Sequence, residues 1–348
     1  GTYDSSTVNF DDLNGNSSSA PKNNGDRSVF VVKYDSNGNG QWSYPIHIDF
    51  DTNVGLNTPT VYCDPNGNIY VTIVKTNDAS DNKVYIYDSR DANTVQKETL
   101  LNSGATIVIK FDSTGIFQWK VRILGYFFDT AGTSDSIAVA DSEGNVYING
   151  YQNNSDGIVI IDSTDYSTHL QYGSYGSFLC KVDKSGMFKW NISNLYGVVP
   201  NYKSSVACDL DGNIVITGLH DSSIDIYQIV DGEVGLYKTL NKLRGYYGLY
   251  MVKYNSDGKV IWANGLYLDT SSSSDQIQYP VTTIDGNGNL FLSAQLYGEY
   301  VYIYDTRNPI YDEGHENDYR LVVPLDLDSP GTTNNNIILL KYNKNGIF

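Results

Sequence analysis

The amino-acid sequence predicts an all-β fold, and three features of the 348-residue chain support this prediction. Two short turn patterns alternate along its whole length. Each turn is flanked by runs of β-branched and aromatic residues, which favour strands. The units repeat without a helical pattern between them, and 32 Gly against 9 Pro suit a folded, turn-rich protein.

The first pattern begins with Lys33 and places Gly38 five residues later and Trp42 four residues after that. The same spacing recurs in three further complete copies, which begin at Lys110, Lys181 and Lys253. A fifth copy begins at Lys341 and stops before a tryptophan is reached. All four tryptophans of the chain occupy this one position, and successive copies start 71 to 88 residues apart, which predicts a repeat unit of that length.

The second pattern is Asp-x-x-Gly-Asn followed by a β-prone run, first seen from Asp64 to Val71. Its other copies begin at Asp141, Asp209 and Asp285. In both patterns, a glycine at a fixed place supplies the positive φ of a tight turn, and the Asp or Asn hydrogen-bonds the turn backbone. Each pattern therefore predicts a β-hairpin, and the two together predict four strands per unit.

The predicted strands are apolar almost throughout rather than alternating, as in Val29 to Val32 and Ile337 to Leu340. Strands that are covered on both faces have this composition. Four-stranded antiparallel units whose sheets pack face to face predict a β-propeller of five or more blades. We expect residues 1–348 to form a single propeller or part of one, with approximate blades at 1–57 (partial), 58–134, 135–203, 204–278 and 279–348 (last strand incomplete).

Length differences between repeats fall in the connector between the two hairpins of a unit, where insertions leave a core undisturbed. Each connector also carries a short apolar run, such as Val84 to Asp88, which predicts an extra strand or strand extension at the blade rim. The connector from about Tyr304 to Asn336 is far longer than the others and combines acidic, aromatic and apolar residues. We predict that this loop binds a partner protein through Tyr311, His315, Tyr319, Leu321 and Val322.

Two segments, Asp141 to Gly150 and Phe30 to Trp42, resemble the two halves of the bacterial SBBP-type β-propeller repeat. That family combines a D-x-x-G-N-x-Y-V-x-G segment with an F-x-x-K-x-D-x-x-G-x-x-x-W segment in each blade. The resemblance covers nearly the whole chain, although the connectors are longer than in the compact blade of the family. It implies a surface or secreted bacterial protein or a protein of a large DNA virus, so we expect an extracellular, cell-surface or virion location. It implies no single enzymatic activity.

The charge balance argues against nucleic-acid binding. With 40 acidic and 23 basic residues, the formal charge is -17, and such a field repels phosphates. No apolar run approaches the roughly 20 residues of a membrane-spanning helix, so we expect no membrane insertion. The cysteines Cys63, Cys180 and Cys208 fit neither a metal spacing nor an even disulfide set, and we expect them to be buried free thiols.

The repeated polar and aromatic residues have structural and functional interpretations. The Asp of the Asp-x-x-Gly-Asn turn favours turn capping, with calcium binding as the alternative, because each turn offers few carboxylates. The repeated Lys lies between apolar residues, so we expect a structural partner, in the first place a carboxylate of a neighbouring turn. The Trp set favours packing between blades over sugar stacking. The four histidines lie at unrelated repeat positions and suggest no shared site: His47, His169, His220 and His315.

These patterns predict a non-catalytic scaffold for binding, adhesion or structural assembly, because no position departs from its copies to form a catalytic cluster. We expect no catalytic, cofactor-binding or metal-binding residues and no cofactor. The expected partners are other protein subunits, in a homo-oligomer or surface assembly, with glycans as a further class. The alternative is a glycan-active enzyme, a hydrolase or lyase, since propellers can hold carboxylate pairs at their central channel.

Overall fold

The computed structural model describes residues 1–22, 27–51, 59–75, 82–101, 105–124, 138–152, 158–170, 176–195, 204–241, 248–269, 276–297, 300–303, 321–324 and 336–348. Within these ranges all regular structure is β-strand. Each pairing whose register is described is antiparallel, as in β-hairpins and meanders. The predicted all-β class is therefore confirmed. None of these ranges contains a helix long and apolar enough to cross a membrane.

The strands of the described residues follow one another in chain order. The first fourteen are β1 (Thr2–Tyr3), β2 (Thr7–Asp11), β3 (Ser17–Pro21), β4 (Arg27–Val31), β5 (Ile46–Phe50), β6 (Thr60–Cys63), β7 (Ile69–Val74), β8 (Asn82–Tyr87), β9 (Lys97–Leu101), β10 (Ala105–Phe111), β11 (Phe117–Leu124), β12 (Ala138–Ala140), β13 (Val146–Gln152) and β14 (Ile158–Ile161). The next fourteen are β15 (Ser167–Leu170), β16 (Gly176–Val182), β17 (Phe188–Leu195), β18 (Ser205–Cys208), β19 (Ile214–His220), β20 (Ile224–Val230), β21 (Glu233–Leu240), β22 (Gly248–Tyr254), β23 (Val260–Asp269), β24 (Gln276–Ile284), β25 (Leu290–Tyr297), β26 (Tyr300–Ile303), β27 (Leu321–Pro324) and β28 (Asn336–Tyr342).

These strands form five main sheets and two separate hairpins. Sheet 1 has the order β1-β4-β5-β8-β9, and sheet 2 has the order β6-β7-β10-β11-β14-β15. Sheet 3 is β12-β13-β16-β17, sheet 4 is β18-β19-β22-β23-β26-β27, and sheet 5 is β24-β25-β28. The hairpins β2–β3 and β20–β21 stand apart. The expectation of uniform four-stranded sheets is therefore wrong for most of the described sheets.

The connectors account for the extra strands. In sheet 2, the strands β6, β7, β10 and β11 come from the two hairpins of one repeat, whereas β14 and β15 come from the connector of the next repeat. Strand β14 pairs with β11, so that Ile160 lies opposite Ile123. The hairpins β8–β9 and β26–β27 extend sheets 1 and 4 in the same way. The predicted extra strand is confirmed, but it extends the sheet of the preceding repeat.

The turn glycines have the backbone conformation that the sequence predicts. In all nine copies of the two patterns, φ at this glycine lies between 72° and 84°. A side chain with a Cβ is disfavoured in this region, because the Cβ crowds the following carbonyl oxygen. The positions are Gly38, Gly67, Gly115, Gly144, Gly186, Gly212, Gly258, Gly288 and Gly346. A glycine at a fixed distance from a capping Asp or Asn therefore determines the backbone conformation of each hairpin turn.

The chain divides into two compact units. The first comprises Gly1–Thr133, Gly157–Gln171 and Val182–Phe188 and contains sheets 1 and 2. Its core includes Val29 and Ile48 of sheet 1 together with Val71, Ile107 and Ile109 of sheet 2. All residues of β7 and β10 are buried, which confirms that the continuous apolar strands are covered on both faces.

The second unit comprises Ser134–Asp156, Tyr172–Lys181 and Lys189–Phe348 and contains sheets 4 and 5 and most of sheet 3. Its largest described core joins apolar side chains of two sheets. Leu249 and Met251 of sheet 4 share this cluster with Leu292 and Leu340 of sheet 5. Strands β19 and β22 are buried along their whole length.

His47 of β5 is completely buried in the first unit. Its ring stacks on Tyr87 of β8, with ring centroids 4.1 Å apart and planes inclined by 9°. Burial lowers the pKa of His47 to about 4, because the imidazolium form would lose its hydration. An interaction with the backbone of Pro45 offsets only a small part of this effect.

We expect the first unit to lose stability as the pH falls from about 6.5 to about 4. Between these values the unfolded chain binds a proton at His47 that the folded chain does not bind, so acidification favours unfolding. The contribution of neutral His47 is complete above the unfolded pKa of about 6.5. Urea unfolding of wild type and His47→Phe on both sides of this value measures the effect. The variant retains an aromatic ring against Tyr87 and should lose this part of the pH dependence; an unchanged slope would contradict the assignment.

Candidate functional site

Each Asp-x-x-Gly-Asn turn is closed by its own aspartate. Asp64 Oδ1 accepts hydrogen bonds from the backbone N–H groups of Asn66 and Asn68, both at 2.9 Å. Its Oδ2 accepts from Asn68 Nδ2 at 2.7 Å and from the Tyr70 hydroxyl at 3.0 Å. The same backbone and asparagine bonds form at Asp141, Asp209 and Asp285. The predicted turn capping is confirmed, and the described residues contain no group of three His, Cys, Asp or Glu side chains that could hold a metal ion.

The turn of the Lys-to-Trp pattern forms with either Asp or Asn. Asp35 Oδ1 accepts from the N–H groups of Asn37 and Asn39 at 2.8 and 2.9 Å. Asn255 and Asn343 make the same two bonds in their copies. The turn therefore requires a side-chain oxygen rather than a charge. Where the residue is aspartate, these hydrogen bonds also lower its pKa. At Asp35 the backbone N–H of Asn39 has the largest effect and its side chain the next largest, because both stabilise the ionised carboxylate.

The repeated lysine reaches the turn of the following repeat. In three copies its ammonium donates to the backbone carbonyl of the residue after the turn Asp or Asn. These bonds are Lys33 Nζ to Ser113 O at 2.8 Å, Lys110 Nζ to Lys184 O at 3.2 Å and Lys181 Nζ to Ser256 O at 2.8 Å. The prediction of a carboxylate hydrogen-bond partner is wrong for these copies, because the ammonium group donates to a backbone carbonyl of the turn instead.

The fourth copy differs from the other three. Lys253 Nζ lies 3.3 Å from Asp209 Oδ2 and 3.4 Å from Gly288 O. Both members of this ion pair are almost completely buried. The predicted carboxylate partner is thus found for Lys253. Replacing one member of a buried ion pair with a neutral residue destabilises the fold, because the remaining charge is buried without a partner.

In three copies the repeated tryptophan donates to the carbonyl that follows the turn Asp or Asn of the next repeat, and Trp119 and Trp190 share this carbonyl with Lys110 and Lys181. The bonds are Trp119 Nε1 to Lys184 O at 2.9 Å, Trp190 Nε1 to Ser256 O at 3.2 Å and Trp262 Nε1 to Lys344 O at 3.1 Å. The indole nitrogen of Trp42 has no hydrogen-bond partner among the described residues. The indole ring also lies against the turn glycine, so that a Cβ on Gly186 would come within 2.8 Å of Trp119. The predicted packing role is confirmed. We call the convergence of Lys and Trp of one repeat on the turn carbonyl of the next repeat the turn clasp.

Aromatic rings also stabilise the ammonium in the turn clasp. Lys110 Nζ lies 5.3 Å from the ring centroid of Tyr70 and 5.8 Å from that of Trp119. Burial lowers the pKa of Lys110, and the negative charges of Asp64 and Asp183 offset part of this effect. A hydrogen bond from a charged donor contributes about 1.5–3 kcal/mol, so the turn clasp is a substantial link between repeats.

The three cysteines are free, but their environments differ. Cys180 of β16 is completely buried, and burial raises the pKa of its thiol. Cys208 is half-buried and Cys63 is exposed. The expectation of a buried thiol is therefore wrong for Cys63. It lies in β6, the edge strand of sheet 2, where alternate side chains are open to solvent.

The predicted partner-binding loop is described only in part. Tyr311, His315 and Tyr319 lie outside the described residues. Leu321 and Val322 lie in β27, where they pair with Ile303 and Tyr302 of β26. These two residues belong to a strand of sheet 4 rather than to a loop, because this connector forms the same kind of hairpin as those on sheets 1 and 2. Partner binding by this segment stays a prediction.

A cleft of about 210 Å³ opens on sheet 1 and the hairpin β2–β3. Its lining combines the rings of Phe10, Tyr34 and Trp42 with Lys33 and the carboxylate of Asp12. Ligand pockets usually measure about 300–1,000 Å³, so this cleft is small for an oligosaccharide. The sequence does not predict this cleft. Tyr34 and Trp42 belong to a repeated turn pattern, and no pattern in the sequence places Phe10 beside them.

Asp12 is the single carboxylate among the lining residues of this cleft. Its Oδ1 accepts from the N–H groups of Asn14 and Asn16 at 2.9 and 2.8 Å, and its Oδ2 accepts from Asn16 Nδ2 at 3.0 Å. The hydrogen bonds from Asn16, side chain first, lower the pKa of Asp12. Asp12 therefore resembles the other turn-capping aspartates.

Comparison with known proteins relates the chain to a repeat protein. No protein-family model matches it, so membership of the SBBP-type family is not confirmed. Over 185 residues, or 51% of the chain, it is 29% identical to an uncharacterized WD repeat-containing protein of Acanthamoeba polyphaga mimivirus. The chain spans 13% of the length of that relative. A crystal structure of a protein of unknown function from Dyadobacter fermentans aligns with 70% of the chain and 91% of its own length, at 11% identity and a TM-score of 0.25, which is too low to indicate a common fold.

We expect Gly186→Ala to destabilise the first unit more than Gly15→Ala. Both glycines have positive φ, 81° and 78°, so both alanines incur a similar backbone strain of about 1 kcal/mol. A Cβ at Gly186 also meets Trp119 and Ser163 within 2.9 Å, whereas nothing lies within 4 Å of one at Gly15. Urea denaturation should give a further loss of about 1–3 kcal/mol for Gly186→Ala. Equal losses would show that the indole does not press on the turn.

Proposed function

We propose that this chain is a non-catalytic β-propeller scaffold for binding, adhesion or structural assembly on a cell or virion surface. The turn clasp is the observation that carries the proposal. It engages the repeated Lys and Trp in joining repeats, while the repeated Asp closes the turns. The relative from a mimivirus is named as a WD repeat-containing protein, and WD repeats form four-stranded propeller blades. This similarity supports a propeller-like repeat protein, and we propose five or more blades of the SBBP type.

The cleft on sheet 1 favours binding over turnover. Glycoside hydrolysis uses two carboxylates, about 5–10 Å apart, of which one has a raised pKa and acts as an acid. Asp12 is the single carboxylate of the lining, and its pKa is lowered by the hydrogen bonds from Asn16. A hydrolase or lyase is therefore the weaker candidate. We propose protein subunits as the main partners, because the charge of -17 disfavours nucleic acid.

We expect the wild-type chain to release no reducing ends and no unsaturated uronates from a panel of polysaccharides. The variant Asp12→Asn keeps an acceptor oxygen for the turn and removes the charge, as at Asn255, so it should fold normally. Asp35→Asn is the matched control, since it makes the same change in a turn whose aspartate is not part of the cleft lining. Turnover by wild type and Asp35→Asn that is lost in Asp12→Asn would contradict the scaffold proposal.

The proposed surface location has a separate test. Antibodies against the chain should label intact cells or virions that produce the protein, without permeabilisation. Labelling that requires permeabilisation would contradict the location and leave the scaffold proposal unaffected.

A further inference from the structure

Strand β28 presents two large apolar side chains on one face of sheet 5. Ile337 is 82% exposed and Leu339 is 73% exposed. Counted from the repeated lysine, these positions are buried in sheets 2 and 4, where they are Thr106, Val108, Leu249 and Met251. We call the face of sheet 5 that carries Ile337, Leu339 and Lys341 the tail face.

The tail face carries the donor half of a turn clasp. Lys341 Nζ lies 5.3 Å from the ring centroid of Phe291, its cross-strand neighbour. Lys110 and Lys181 hold the same position over tyrosine rings, also at 5.3 Å, and both donate to a turn carbonyl of the next repeat. Lys341 has the same aromatic support, but no turn carbonyl of the described residues accepts from it. The donor is therefore placed as in the complete clasps.

Sheet 1 carries the acceptor half. Phe30, Val32 and Tyr34 lie on one face of β4 and its extension, and we call this face the head face. The equivalent residues are completely buried in sheets 2 and 4, where they are Ile107, Ile109, Phe111, Tyr250, Val252 and Tyr254. In sheet 1, Phe30 and Val32 are half-buried and Tyr34 is 41% exposed. The carbonyl of Ser36, which follows the turn Asp35, accepts no hydrogen bond from the described part of the chain.

We propose that the tail face of one copy of this chain docks on the head face of a second copy, a head-to-tail contact that rests on the proposed scaffold function. The contact continues the stacking of sheets seen within each unit. Ile337 and Leu339 enter the cleft beside Val32 and Tyr34, and Lys341 donates to Ser36 O. The cleft volume of about 210 Å³ suits protein side chains better than an oligosaccharide.

Charge complementarity favours this occupant. Asp12 lines the cleft together with Val32 and Tyr34, and Asp35 closes the turn that contains Ser36, the proposed acceptor for Lys341. In the complete clasp of the first unit, Asp183 of the acceptor turn likewise stabilises the charged form of Lys110. The two faces differ from each other, so the contact is heterologous and produces a ring or an open chain of copies.

Sedimentation velocity over a range of protein concentrations tests the proposal on the full chain. Wild type should associate as the protein concentration rises. Leu339→Glu on the tail face and Tyr34→Glu on the head face should each raise the dissociation constant about tenfold or more, since each introduces a carboxylate into the contact. Leu236→Glu, at an exposed leucine of β21 outside both faces, is the matched control and should associate as wild type does. Circular dichroism melts establish that each variant is folded.

Mixing the two blocked variants gives the decisive result. Leu339→Glu retains a working head face and Tyr34→Glu retains a working tail face, so an equimolar mixture should form a dimer and no larger species. A monomeric wild type, association unchanged in both variants, or a mixture that remains monomeric would overturn the proposal. None of these outcomes affects the scaffold proposal, which fails on polysaccharide turnover.

Discussion

One backbone carbonyl in each Lys-pattern turn governs how this protein is built. Forming the turn occupies the Asp or Asn side chain and the neighbouring N–H groups, and it leaves the carbonyl of the next residue without a donor in its own turn. Stacking of the sheets makes this carbonyl partly buried, where an unpaired acceptor costs about 1–3 kcal/mol. Lys and Trp of the neighbouring repeat both donate to the carbonyls of Lys184 and Ser256, so the turn and the stacking depend on each other there.

The connector hairpins join the same repeats a second time. Each connector on sheets 1, 2 and 4 pairs with the outer strand of the preceding sheet, and on sheets 1 and 2 its tip also bonds to the turn glycine of its own repeat. Ser89 N donates to Gly115 O at 3.1 Å, and Ser163 N donates to Gly186 O at 3.0 Å. Because both ends of the hairpin are fixed, insertions accumulate beyond the paired segments without disturbing the core.

The repeated Asp, Lys and Trp residues have structural roles. A catalytic residue needs a free functional group and a position that differs from its copies, whereas these Asp, Lys and Trp side chains have defined structural partners. Distinct surfaces therefore arise where a sheet face that is buried in the other repeats is exposed. The cleft on sheet 1 and the face bearing Leu339 are of this kind, since both show residues that are buried in the other repeats.

The sequence by itself determined the hairpins, their turn glycines, the capping Asp and Asn residues and the apolar strands, because each depends on residues within a few positions of one another. The sequence also predicted that Trp packs between repeats. Every tryptophan lies at the same position of its repeat, so a common packing environment is expected there. The partner of Lys110 is evident only from the tertiary structure, because it depends on which turn atom of the neighbouring repeat lies within reach of the ammonium group. The attachment of β14 to β11 and the position of Phe10 beside Tyr34 were likewise beyond the sequence, since both depend on where a long connector returns in space.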